Sequence, residues 1–126
     1  MEFKDKQSIY IQIADYVSEH ILLGQWPPGE RIPSVRDLAA TLEVNPNTVV
    51  RTYEYLQARE IISSQRGVGY SAAENAESLI RADRKERFLE TELPEFFKTL
   101  YLLNINMEDL QSRYEKFVSD EYPATL

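Results

Sequence analysis

The sequence predicts a mainly α-helical chain with one small β-hairpin, arranged as an N-terminal module and a C-terminal two-helix tail. Three observations predict it. The stretch Pro28 to Tyr70, PGERIPSVRDLAATLEVNPNTVVRTYEYLQAREIISSQRGVGY, sets a capped short helix, a tight turn, a second capped helix and a glycine-bearing hairpin in that order. Apolar residues recur at helical spacing on both sides of it. With 126 residues, 43% of them hydrophobic, the chain has room for one domain, or one small domain with an appendage. The order in the first observation is that of a winged helix-turn-helix, which puts one helix into the DNA major groove. The expected division is 1–73 for this module and 74–126 for the tail.

The elements follow in chain order. Ser8 to Leu23 reads as a helix, with Ile9, Ile13, Val17 and Ile21 forming one apolar stripe. Gly24 is a natural stop, and Trp26-Pro27-Pro28-Gly29 makes a rigid turn. Glu30 to Ile32 is a short extended piece able to pair with a later hairpin. Ser34 caps the second helix, with Asp37 three residues on, and Val35, Leu38, Ala39 and Leu42 supply its buried face. Glu43-Val44 turns the chain. Asn45 caps the third helix and Pro46 suits its first position. That helix runs to about Arg59, with Val49, Tyr53 and Leu56 inward and Asn47, Thr48, Arg51 and Tyr55 on or near the other face.

Ile61 to Gln65 reads as a strand, Arg66-Gly67 as a tight turn and Val68 to Ala72 as the return strand. Helical spacing resumes at Ala76, with Leu79, Ile80, Phe88, Leu89 and Leu93 on the apolar face. Pro94 must kink or restart this helix, because it lacks the amide proton and clashes with the preceding turn. Asn104 to Asn106 is a break. A last helix from about Met107 to Ser119 carries Leu110, Tyr114, Phe117 and Val118.

Composition narrows the function. No apolar run is long enough to cross a membrane, and MEFKDKQ is not a secretion signal, so a cytoplasmic protein is expected. The absence of cysteine removes disulfides, thiolate metal sites and a cysteine nucleophile. The net charge of −7 is unevenly spread. Residues 1–73 carry seven Lys/Arg against nine Asp/Glu, a balance of −2; residues 74–126 carry seven against twelve, a balance of −5. Most excess acid therefore lies outside the N-terminal module, whose non-specific DNA affinity should be modest. One histidine, His20, no glycine-rich phosphate loop and no nucleophile motif argue against an enzyme. No catalytic residue, metal ligand or cofactor is expected.

A DNA-reading helix needs small polar and basic side chains near its N-terminus. Asn45, Asn47, Thr48 and Arg51 meet that need. Asn can bond adenine at two points, and Arg can do the same with guanine. Ser34 and Arg36 stand at the start of the preceding helix, which crosses the phosphate backbone in this geometry. Arg66 and Gly67 form the hairpin tip, where glycine lets the backbone approach the duplex closely. Singly, each of these residues could be an ordinary cap or solvated charge. Their order and spacing together carry the reading.

On the segments IYIQIADYVSEHILLGQWPPGERIPSVRDLA, VNPNTVVRTYEYL and RGVGY, the chain resembles the GntR family of bacterial transcription regulators over about residues 8–72. The VNPNTV form and the short tail resemble its YtrA subfamily. The resemblance implies DNA contacts at Arg36, Asn47, Thr48 and Arg51, with Arg66 and Gly67 in the wing. It also implies a tail that mediates homodimerisation. Two positions depart from the family pattern. The wing ends Gly69-Tyr70-Ser71-Ala72 where Gly-Thr-Phe-Val is more usual, which bears on wing packing. Val50 stands where a smaller alanine is common, with a slight shift of helix packing expected.

Leu89, Phe96, Phe97, Leu100 and Tyr101 are expected at the dimer contact, since a short tail cannot hide so many large apolar groups on itself. The run RADRKER, Arg81 to Arg87, reads as a solvated helix face with internal ion pairs, in preference to a DNA-facing patch. The function expected is a dimeric, sequence-specific transcription regulator acting as a repressor on an inverted-repeat operator in double-stranded DNA. The resemblance adds control by an unidentified small-molecule effector, which must bind DNA-competent and incompetent dimers with different affinity. The alternative is a winged-helix adaptor for protein interaction. Salt separates the two, because phosphate contacts make affinity fall steeply as salt rises.

Overall fold

In the computed structural model, which describes residues 7–124, the chain divides into two compact units, Met1–Arg84 and Lys85–Leu126. The first opens with α1 (Ile9–Leu22), α2 (Val35–Leu42) and α3 (Pro46–Ala58). The hairpin follows as β1 (Ile62–Gln65) and β2 (Gly69–Ala72), and α4 (Ala76–Arg87) starts the run toward the tail. This is the winged helix-turn-helix that the caps and spacing predict.

The two helices of the helix-turn-helix, α2 and α3, start where the sequence supplies a cap. Ser34 Oγ accepts from the amide of Asp37 at 3.1 Å, and Asn45 Oδ1 accepts from the amide of Asn47 at 2.8 Å. Both satisfy amides that have no partner within their own helix. Glu43 closes α2 in the left-handed region (φ 55°), which an L-residue tolerates singly at a small cost. That turn sets α3 against α2.

The core gathers Ile13, Val17 and Ile21 of α1, Leu38 and Ala39 of α2, Val49, Tyr53 and Leu56 of α3, and Ile61, Ile62 and Ala72 of the hairpin. Ile9, expected on the α1 stripe, is exposed instead, at the first position of the helix. Tyr53 is fully buried and ties three parts together. Its hydroxyl donates to the carbonyl of Pro33 at 2.6 Å, ahead of α2, and its ring meets Tyr70 edge-on at 4.7 Å. Tyr70 thus supplies packing at the wing position where the family pattern differs. Burial pushes the Tyr53 phenol well above its usual range, with Tyr70 and Asp37 adding to the effect.

The hairpin pairs Ile62 with Ala72 and Gln65 with Gly69, leaving Arg66 to Val68 as a three-residue loop. The sequence pointed to a two-residue turn. The longer loop arises because Gly67 (φ 80°) and Gly69 (φ 110°) both take positive φ, the glycine conformation that three-residue hairpins exploit. The extended piece pairs as expected: Arg31 bridges Ser71, and Ile32 donates to Tyr70 O at 2.9 Å.

The first unit runs past position 73, through α4 to Arg84. Ala76 and Ile80 are buried in its core. Asp83 pairs with Arg59 at 2.8 Å and accepts from Tyr55 at 3.0 Å, while Arg84 reaches Glu19 at 3.5 Å. The charged run from Arg81 therefore ties α4 to α1 and α3, and Arg81 also pairs with Glu77 within its helix.

The second unit contains a π-helical turn (Phe88–Glu92), α5 (Leu93–Leu102) and α6 (Met107–Glu121). Pro94 accounts for the π turn. It has no amide to donate and its ring crowds the carbonyl four residues back. Leu93 then bonds Phe88, five residues earlier, and α5 starts with the proline in its first turn. Asn104 (φ 57°) ends α5, and Asn106 caps α6 by accepting from Asp109 N at 2.7 Å.

Candidate nucleic-acid interface

α3 presents two opposed faces. Val49, Thr52, Tyr53 and Leu56 are buried, whereas Asn47, Val50, Arg51, Glu54 and Ala58 are exposed. At 3.6 residues per turn the exposed positions fall on one stripe. The Thr52 hydroxyl fixes the buried face to α1, lying 2.8 Å from the Tyr10 carbonyl and 3.1 Å from that of Thr48. Tyr53 fixes it to the entry of α2. The helix is therefore clamped from behind by two specific hydrogen bonds.

The expected contact residues sit as follows. Asn47 and Arg51 are exposed on the α3 stripe, and Thr48 is half-buried on its flank. Asn45 is exposed, but its side-chain oxygen is engaged as a cap, which leaves its amino group free to donate. Ser34 is half-buried and likewise engaged as a cap. Arg36 is exposed in the first turn of α2, and Arg66 and Gly67 are exposed at the hairpin tip. The guanidinium of Arg51 lies 4.0 Å from the centre of the Tyr10 ring. Tyr10 in turn meets Tyr55 edge-on at 6.1 Å.

Four residues of this surface were missed from the sequence. Val50 and Glu54 share the α3 stripe with Asn47, and the signal was their spacing of three and seven positions from it. Val50 is 37% exposed and lies outside the core cluster. Arg31 is exposed and lies over Gly69, where an added Cβ would stand 3.2 Å from its guanidinium. Tyr10 had no sequence signal, because its role depends on where α3 packs. His20 is half-buried on α1, its Nδ1 2.8 Å from the Tyr16 carbonyl and its ring stacked 4.5 Å from Trp26. That is a packing role.

In the tail, Leu89, Phe96, Phe97 and Tyr101 are exposed, Tyr101 at 82%. Leu100 differs from this set. It is only 7% exposed in the single chain, which leaves it little surface to offer a partner. Among the described residues no helix is long and apolar enough to cross a membrane.

The chain matches the family model for bacterial regulatory proteins of the gntR family over residues 9–71. It is 33% identical over 116 residues to the uncharacterized HTH-type transcriptional regulator YhcF of Bacillus subtilis (strain 168), spanning 92% of this chain and 94% of that one. It is 31% identical over 112 residues to the HTH-type transcriptional repressor YtrA of the same organism, spanning 89% and 85%. A crystal structure of a GntR-family protein from Bacteroides thetaiotaomicron superposes with a TM-score of 0.76 at 45% identity, covering 90% of this chain and 99% of that one.

Proposed function

The chain belongs to the gntR family of bacterial regulatory proteins, and from that premise we propose that it is a homodimeric transcription repressor that reads an inverted-repeat operator. The observation that carries the proposal is the division of α3. Its buried face is held by α1 and the entry of α2, and its free face presents Asn47 and Arg51. Asn47 suits adenine, Arg51 suits guanine, and the helix N-terminus favours a phosphate. Arg36 and Arg66 add backbone contacts on either side, and Asn45 and Thr48 complete the N-terminal end.

Repression works by occupying promoter DNA. The similarity to a protein described as a repressor supports that sign of regulation. Dimerisation through Leu89, Phe96, Phe97 and Tyr101 supplies the two-fold symmetry that paired half-sites require.

The Tyr10 stack does not prevent Arg51 from reading DNA. A cation–π contact at an exposed site is worth about 0.5–1 kcal/mol. A two-point guanine contact discriminates by about 1–3 kcal/mol, so DNA wins the guanidinium. Arg51→Ala should weaken operator binding by about 1–3 kcal/mol and relax the preference at one base pair. Fluorescence anisotropy on the operator and on single-base variants checks this. Unchanged affinity with an unchanged preference would take Arg51 out of the reading set.

A further inference from the structure

Val50 stands where folding gives no reason for it. It lies on the second turn of α3 and is 37% exposed. It contributes nothing to the core, which takes Val49 beside it and Tyr53 one turn on. A β-branched residue at an exposed helix position is a poorer helix former than alanine, because its χ1 freedom is lost against the preceding turn. Its neighbours on the exposed face are Asn47 one turn before, Arg51 beside it and Glu54 one turn after. From the helical repeat, Val50 and Arg51 take opposite flanks of the line from Asn47 to Glu54. Arg51 leans toward Tyr10 of α1. Val50 leans toward the side on which Tyr53 reaches Pro33, at the entry of α2.

An apolar group inside a polar reading face needs an apolar partner. The floor of the major groove offers one such group, the C5 methyl of thymine. Against a cytosine amino group or a guanine oxygen, the valine would strip water from a polar atom and return no hydrogen bond. We infer that Val50 is a specificity-determining residue that reads a thymine methyl in each half-site, next to the base read by Asn47 or Arg51. This rests on the proposal that α3 reads operator DNA, and deepens it by naming one base.

The test removes the methyl alone. The full chain is bound to its selected operator duplex, with each thymine of one half-site replaced singly by deoxyuridine. At one thymine the replacement should weaken the wild-type protein roughly fourfold, the value of one buried methyl-sized group. Val50→Ala should bind the thymine and deoxyuridine duplexes alike at that position, with every other ratio unchanged. Alanine favours the helix and Val50 is outside the core, so the variant keeps its fold. If Val50→Ala kept tight, specific binding and all the wild-type ratios, the Val50 assignment alone would be wrong. If the wild-type protein bound no duplex specifically, the DNA-reading proposal would fall, and this inference with it.

Discussion

Tyr53→Ala is expected to cost about 3–5 kcal/mol of stability, the usual range for deleting a fully buried aromatic. The ring lies at the meeting of α3, the entry of α2 and the wing. Its removal leaves a cavity, frees the Pro33 carbonyl and takes away the edge-on partner of Tyr70. Tyr53→Phe separates these effects. It keeps the ring and deletes only the 2.6 Å hydrogen bond, so the loss should be about 1–3 kcal/mol, the cost of an acceptor left without its donor. Urea unfolding of the two variants measures both. A Tyr53→Phe protein as stable as wild type would show that the hydroxyl contributes nothing.

The same residue should make stability fall at alkaline pH. The folded state raises the Tyr53 phenol above its unfolded value, chiefly through burial. The unfolded chain therefore loses this proton first as pH rises. The stabilisation is complete below the unfolded phenol value of about 10 and falls as pH climbs above it. Tyr53→Phe should lack this part of the alkaline loss.

Phe97→Glu should break the proposed dimer while leaving the helices formed. Phe97 is 49% exposed, and Phe88, Leu89, Phe96, Tyr101, Leu102 and Leu103 are exposed within the same stretch of chain. So much exposed apolar surface is what supports placing the proposed dimer contact there. A carboxylate placed in such an interface would be buried without a partner, at a cost of several kcal/mol. Sedimentation should find a monomer with unchanged helical circular dichroism. Operator affinity should fall by roughly 10²–10⁴, because the two half-site contacts no longer share one molecule. A folded variant that remained fully dimeric would remove Phe97 from the interface.

The parts of this fold legible in the sequence are those decided locally. Ser34 and Asn45 cap helices because a short polar side chain can reach the free amides two or three residues on, and both do so; Asn106, read only as part of a break, caps α6 in the same way. The hairpin, the extended piece at Arg31 and the helix restart at Pro94 follow from glycine and proline chemistry in the same way. What could not be read depends on packing at a distance. Ile9 carries the right spacing but is exposed at the first position of α1. The first compact unit extends into α4 because Asp83 and Arg84 find Arg59 and Glu19, far away in sequence. On the exposed face of α3, Asn47 and Arg51 were picked out as candidates from residue type alone. Val50 was noted only for packing and Glu54 not at all, because neither an apolar nor an acidic side chain is placed on the exposed face of α3 until the helix packing is known. Tyr10 and Arg31 came to light only once their partners, Arg51 and Gly69, were in place.

The most direct test is selection of bound duplexes from a random library, using the purified full chain at near-physiological salt. Two α3 helices related by two-fold symmetry should recover an inverted repeat, its half-sites about one helical turn or a multiple of it apart. Recovery of no enriched sequence would contradict the account, and the winged helix would then be read as a surface for protein contacts.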